Sequence, residues 1–230
     1  MTLFYATEQS QNLLRFSPEE GQHALKTLRH REGDIIQVTN GKGDLWDARI
    51  VSGKPNDFSA EILQLKQQEL QAPLLHIFMA LPKNPERFEW FLEKTTEIGI
   101  GSITPLITQR SEKFFAKHER WQKILISAMK QSGRLHLPIL NSEKKFKDCL
   151  SDSNPIKLIA HCIGHLERSP LAGYKDLNQA TSIYIGPEGD FTEEEVKAAI
   201  ERNFQPISLG NSRLRTETAG VVACTLWNFI

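Results

Sequence analysis

The chain has 230 residues, 40% hydrophobic and 24% charged, which is enough for one large or two small globular domains. Lys plus Arg and Asp plus Glu both number 28, so no whole-chain field selects or excludes a nucleic-acid partner. The three cysteines, Cys149, Cys162 and Cys224, are odd in number and lack metal-ligand spacing, which argues against a disulfide scaffold or a zinc knuckle.

The opening MTLFYATEQS has neither a basic start nor a long apolar run, so no signal peptide is expected. No stretch reaches the roughly 18 apolar residues of a membrane span. A soluble, cytoplasmic protein with free thiols is the expectation. Cys162 and Cys224 lie in apolar runs and read as small core residues.

Residues 1 to 72 read mostly as β. Ser17 suits an N-cap and Pro18 the first position of a short helix. Asp34 to Thr39 reads as a strand, Asn40-Gly41-Lys42-Gly43 as a turn, and Leu45 to Val51 as the alternating return strand. Phe58 to Leu63 reads as another strand, and a small barrel with one or two helices follows from this order. The polar stretch Gln67 to Pro73 marks a domain boundary.

From residue 73 to 230 apolar strands alternate with helices. Strands are expected at Leu74–Ala80, Ser102–Ile107, Lys157–His161, Ser182–Ile185 and Pro206–Leu209. Helices are expected over Pro85–Gly99, Lys117–Gly133, Thr192–Asn203 and Thr216–Ile230. This order predicts an α/β domain on a mainly parallel sheet. The bulky apolar end, Thr225 to Ile230, is expected to be buried in the core or in an interface between subunits.

Ligands of such sheets bind beyond the carboxyl ends of the strands. Three loops leave strand ends here: His161 to Gly164, Gly186 to Phe191, and Gly210 to Thr218. Glycine at a strand end lets a ligand approach the backbone. No phosphate-loop or dinucleotide fingerprint occurs, and Glu188 and Asp190 would repel a pyrophosphate. A phosphate-free, cationic ligand such as S-adenosylmethionine suits them better. The same residues also suit a plain turn, with Thr192 and Glu195 as the capping box of the next helix. Thr216 reads as a cap of the last helix, and the arginines beside that helix start suggest an anion site.

The stretch IGPEGDF (185–191) followed by LGNSRLRTETA (209–219) resembles the paired motifs of the RsmE-type 16S rRNA (uridine-N3) methyltransferases of the SPOUT superfamily. The resemblance extends over Ala80 to Ser111, Glu119 to Leu140 and, in the first domain, His23 to Gly43. It implies a PUA-like β-barrel over residues 1–72 and a SPOUT methyltransferase domain with a C-terminal trefoil knot over 73–230. It implies S-adenosylmethionine as cofactor, held by His161, Gly186, Pro187, Glu188, Gly189, Leu209, Gly210, Leu214, Thr216, Thr218 and Ala219. Arg215 is implied to stabilise charge on the uracil carbonyls, with Glu217 as base or, preferably, as the group that orients Arg215. Both motifs depart from the family pattern: Asp190 stands where a glycine is usual, and Ser212-Arg213 where Arg-Ile is usual.

The partner implied is 16S rRNA within the small ribosomal subunit, and the assembly a homodimer, without a metal or a membrane. Lys83, Arg87, Arg110, Lys113, Lys130 and Arg134 are the cations of the motif-bearing half. Of these, Lys83, Arg110 and Arg134, with Gln131, are expected to contact RNA, and so are Lys26 and Arg29 of the first domain. A solvated, salt-bridged surface and a helix C-terminus are the structural alternatives for these charges. The same fold acting on tRNA, or a non-catalytic RNA-binding assembly factor, are the competing functions.

Overall fold

The computed structural model describes residues 2–69, 71–72, 74–112, 116–177 and 179–229. Two compact units are present: Met1–Ala72 with Ile126–Leu137, and Pro73–Leu125 with Pro138–Ile230. The segment Ile126–Leu137, expected within the second domain, therefore packs with the first.

The first unit holds β1 (Leu3–Tyr5), β2 (Glu8–Ser10), β3 (Leu13–Arg15), α1 (Pro18–Gln22), β4 (Ile35–Thr39), β5 (Asp44–Lys54) and β6 (Asp57–Gln68). The strand order is β1-β4-β5-β6-β3-β2, with β1 parallel to β4 and the other pairs antiparallel. The edge strands β1 and β2 are consecutive in the chain. Between them the Ala6 N–H donates to Thr39 O and the Thr7 N–H to Arg15 O, both at 2.9 Å. That short link draws the two edges together and curls the sheet into a half-barrel. Alternation turns Ile36 and Val38 of β4 and Trp46, Ala48 and Ile50 of β5 onto Phe4, Leu14 and Phe58. Ser17 caps α1 as expected, accepting from the Glu20 N–H at 3.2 Å. Strands β1 to β3 were not expected, because three residues each are too few to carry a period-two signal.

The second unit continues with β7 (Leu75–Ala80), α2 (Pro85–Ile98), β8 (Ser102–Ile107), α3 (His118–Ser132), β9 (Ile139–Leu140), β10 (Lys144–Lys145) and α4 (Phe146–Cys149). It ends with β11 (Ile156–Ala160), β12 (Ser169–Pro170), β13 (Thr181–Ile185), α5 (Glu193–Ile200), β14 (Gln205–Ser208) and α6 (Thr216–Phe229). The second half of α3 belongs to the first unit. The sheet runs β10-β8-β7-β13-β11-β14-β12 with β9 beside β8, and every pairing is parallel. A sheet covered on both faces has strands buried at every position, as β13 is. Leu106, Phe146, Ile159, Tyr184, Phe191, Val196 and Phe204 form one core of this unit. On the other side α6 packs against α2 at Gly220, where an added Cβ would lie 2.4 Å from Cε2 of Phe91.

One expectation changes. Cys149 and Cys224 are buried, but Cys162 is exposed, because β11 ends at Ala160 and leaves Cys162 in a loop. At the apolar end of α6, Leu226 and Trp227 are half-buried and Phe229 is 68% exposed. Among the described residues no helix is long and apolar enough to cross a membrane.

Candidate active site

The register of the sheet fixes the site. Ala160 of β11 is paired with Ile185 of β13 on one side and with Ile207 of β14 on the other, so three adjacent strands end at one level. The three glycine-bearing loops anticipated from the sequence leave from these ends. Together they line one cavity of about 810 Å3. Of the expected cofactor residues, His161, Gly186, Pro187, Glu188, Leu209, Gly210, Leu214, Thr216 and Ala219 line it, and so does Arg215. Gly189 and Thr218 do not. The two motif departures, Asp190 and Ser212, both face it, as do Arg213 and Arg168.

The turn after β13 closes on itself. The Asp190 N–H donates to Pro187 O at 2.9 Å. A Cβ on Gly186 would come within 2.9 Å of the Phe191 nitrogen, so glycine is required there by the turn itself, before any ligand is considered. Gly210 has a different reason: its φ is +127, which side chains avoid, although a Cβ would meet nothing. Phe191 is fully buried and anchors the turn in the core. Thr192 and Glu195 form the anticipated capping box of α5. Glu195 also accepts from the Gln109 N–H at 2.9 Å, which ties α5 to the loop after β8.

Arg110, expected on RNA, is exposed, and it also holds the turn. Its guanidinium donates to the carbonyls of Gly189 and Phe191 and clasps the turn from outside the cavity. Lys83 pairs with Glu112 at 2.6 Å, and its backbone N–H donates to Glu188 at 3.1 Å. The Glu188 carboxylate thus has a partner, with Arg87 a further 3.9 Å away. Lys26, Arg29, Gln131 and Arg134 belong to the first unit, so the expected RNA residues are divided between the two units. Lys130 pairs with Glu20. Lys113 lies outside the described residues.

Thr216 does not cap α6. It is the first helical residue, and its hydroxyl donates instead to Gly186 O at 3.1 Å, joining two of the three loops. The helix begins from Arg215, whose carbonyl accepts the Ala219 N–H at 2.8 Å. The Arg215 side chain is exposed and engages no side chain among the described residues. Glu217, in the first turn of α6, is only 6% exposed and does not line the cavity. Its partner is Arg87 of α2, at 3.7 Å, not Arg215. Its other oxygen is buried without a partner.

His161 is 3% exposed. Its Nδ1 accepts from the Ile163 N–H at 3.2 Å, which leaves the proton on Nε2. Burial pushes its pKa below the usual value, with Arg168 adding to the shift and Asp190 opposing it. Arg168, which no pattern in the sequence marks, donates to His161 O at 2.7 Å. Among the described residues no cluster of His, Cys, Asp and Glu is arranged to hold a metal.

A family model for an RNA methyltransferase domain matches residues 68–228, and one for an RNA methyltransferase PUA domain matches 16–63. The probable rRNA-methyltransferase of Porphyromonas gingivalis superposes with a TM-score of 0.87 at 36% identity, covering 97% of this chain and 95% of that one. A ribosomal RNA small subunit methyltransferase E of Neisseria gonorrhoeae, solved bound to S-adenosyl methionine, gives 0.80 at 29% identity, covering 97% and 95%. The ribosomal RNA small subunit methyltransferase E of Synechocystis is 34% identical over 86% of this chain and 67% of its own length. That of Mesomycoplasma hyopneumoniae is 31% identical over 98% of both. Fold and site together thus define an RNA methyltransferase of SPOUT type carrying a PUA-like domain. Within that class, the chain belongs to the ribosomal RNA small subunit methyltransferase E family.

Proposed function

We propose that this protein transfers a methyl group from S-adenosylmethionine to N3 of one uridine in the 16S rRNA of the small ribosomal subunit. The observation that carries the reading is the single cavity at the level ends of β11, β13 and β14, in a chain of this family. The fit is chemical. Ile185, Ile207, Leu209 and Leu214 give an apolar wall for an adenine ring. Gly210 carries no side chain and leaves its backbone open to the ligand's polar edge. When bound, the cofactor supplies a methyl group activated by a positively charged sulfur.

This chain's own residues supply the rest. Uracil N3 gives up a proton during attack, and negative charge spreads to the flanking carbonyl oxygens. Arg215 lines the cavity and its guanidinium engages no side chain among the described residues, so it is assigned to stabilise that charge. Glu217 is assigned to position Arg87 and the first turn of α6, since its burial and its partner keep it from the base's role. Holding the two reactants in line provides much of the remaining acceleration.

The crossing of the last strands is read as a trefoil knot. In support, α6 packs against the helical turn Leu171–Leu177 and binds Gly186 through Thr216. A homodimer is supported by the exposed Trp90 of α2 and Phe229 of α6, neighbouring helices with apolar side chains in solvent. Lys26 and Arg29 of the half-barrel, both exposed, are assigned to RNA phosphates.

The test is nucleoside mass spectrometry. Small subunits from cells lacking this gene are incubated with the protein and S-adenosylmethionine. New 3-methyluridine that depends on cofactor is expected. Methylation found only in tRNA, or no cofactor binding at all, would overturn the assignment.

A further inference from the structure

Asp190 sits in a conformation that its residue type does not favour. Its φ is +64, in the left-handed region where glycine is at ease. The carboxylate shows what offsets that strain. Its Oδ1 accepts from its neighbour's N–H, Phe191, at 2.8 Å, and its Oδ2 accepts from the Cys162 N–H at 2.7 Å. The second bond crosses 28 positions of sequence, from the turn after β13 to the loop after β11. Both loops line the cavity.

The neighbours of Cys162 are held in the same way. The Ile163 N–H donates to the His161 ring, and Arg168 donates to the His161 carbonyl. Residues 161–163 thus form a wall segment that the Asp190 carboxylate ties to the opposite loop. Thr216 ties the third loop to the same turn through Gly186. The turn after β13 is the hub to which the loop after β11 is tied through Asp190 and the loop before α6 through Gly186.

We propose that Asp190 is a positioning residue, a carboxylate latch that sets the His161–Ile163 wall against whatever occupies the cavity. The proposal rests on the reading of that cavity as the S-adenosylmethionine site. A charged acceptor on two backbone N–H groups is a short, strong link, and at this position the short aspartate side chain reaches both its neighbour's N–H and that of Cys162. Glycine would relax the backbone and cut the link. Asparagine would keep one acceptor and turn an N–H2 toward the second donor.

The latch separates binding from stability. Asp190→Gly loses two hydrogen bonds but relieves the positive φ, so the unfolding temperature stays within about 3 °C of the parent. S-adenosylmethionine affinity, by calorimetry on the full-length protein, is expected to fall about 10-fold because the wall is no longer pre-set. The KM for the cofactor rises with it, by more than kcat falls. Asp190→Asn is expected to weaken binding by a similar factor and serves if the glycine variant folds poorly.

A second measurement needs no ligand. Amide hydrogen exchange at Cys162 is expected to be slow in the parent and at least about 10-fold faster in both variants. Unchanged exchange at Cys162, or unchanged cofactor affinity in both variants, would overturn the latch. Absence of binding by the parent, with faster Cys162 exchange in the variants, would instead uphold the latch and overturn the cofactor reading.

Discussion

Gly220→Ala sets two physical effects against each other. Gly220 lies in the interior of α6, where alanine is the better helix former by about 1 kcal/mol. Propensity alone therefore predicts a more stable protein. The packing says otherwise. The new Cβ would lie 2.4 and 2.6 Å from two ring carbons of Phe91 and 3.2 Å from the sulfur of Met79. Phe91 and Met79 are themselves fully buried, so neither has free space to retreat into. Overpacking of this kind costs about 1–3 kcal/mol, and a contact this short belongs at the upper end. The balance is a loss of about 2 kcal/mol, or a melting temperature lower by about 4–8 °C for a chain of this size. Because Thr216 and Glu217 stand on the first turn of the same helix, cofactor affinity should fall along with it. Scanning calorimetry with and without cofactor reads both effects. A melting temperature at or above the parent's would refute the argument that α6 is seated on α2 by a steric requirement for glycine.

Other expectations follow from single contacts. Arg215→Ala is expected to reduce single-turnover methylation by about 100-fold or more while cofactor affinity is kept, since no other group in the cavity loses a partner. Arg110→Ala should weaken cofactor binding more than binding of an RNA fragment, because its guanidinium serves the Gly189 and Phe191 carbonyls; a purely RNA-side loss would reverse that assignment. Glu195→Ala removes two backbone-directed bonds of a buried carboxylate, at Thr192 and Gln109, and should cost about 3 kcal/mol in denaturant unfolding. His76 and His161 both have pKa values pushed below 6.5, mainly by burial. The unfolded chain therefore binds more protons than the folded one in that window, so stability is full above about 6.5 and declines as pH falls. Melting temperatures measured at descending pH should drop below that point, and by less in a His76→Asn, His161→Asn double variant.

Much of this molecule is readable in one dimension. The alternation of Ile36 and Val38, and of Trp46, Ala48 and Ile50, specifies half-barrel strands because pleating alone sends them to one side. The apolar run at Thr181–Ile185 specifies a doubly covered parallel strand. Thr192 and Glu195 specify the start of α5 through bonds that span three residues. The motif loops identified the cavity, because glycine and turn residues at strand ends are local signals. All of these are short-range, and short-range geometry is encoded in adjacent residues.

What the sequence left undecided depends on contacts between distant segments. Arg110 is an exposed cation, as its sequence suggests, but nothing local shows that its guanidinium meets the Gly189 carbonyl 79 positions later. Glu217 reads as a partner of nearby Arg215, yet the tertiary packing of α6 on α2 gives it to Arg87. Thr216 reads as a helix cap, but Gly186 arrives to accept its hydroxyl instead. Asp190 reads as a misplaced acid in a turn until its carboxylate meets the Cys162 N–H. A charged or hydroxyl side chain takes whichever partner the fold delivers, because a desolvated polar group cannot be left without one at little cost. Composition and spacing therefore determined the elements and the address of the cavity, and only the assembled sheet decided which of its polar groups hold the loops to one another.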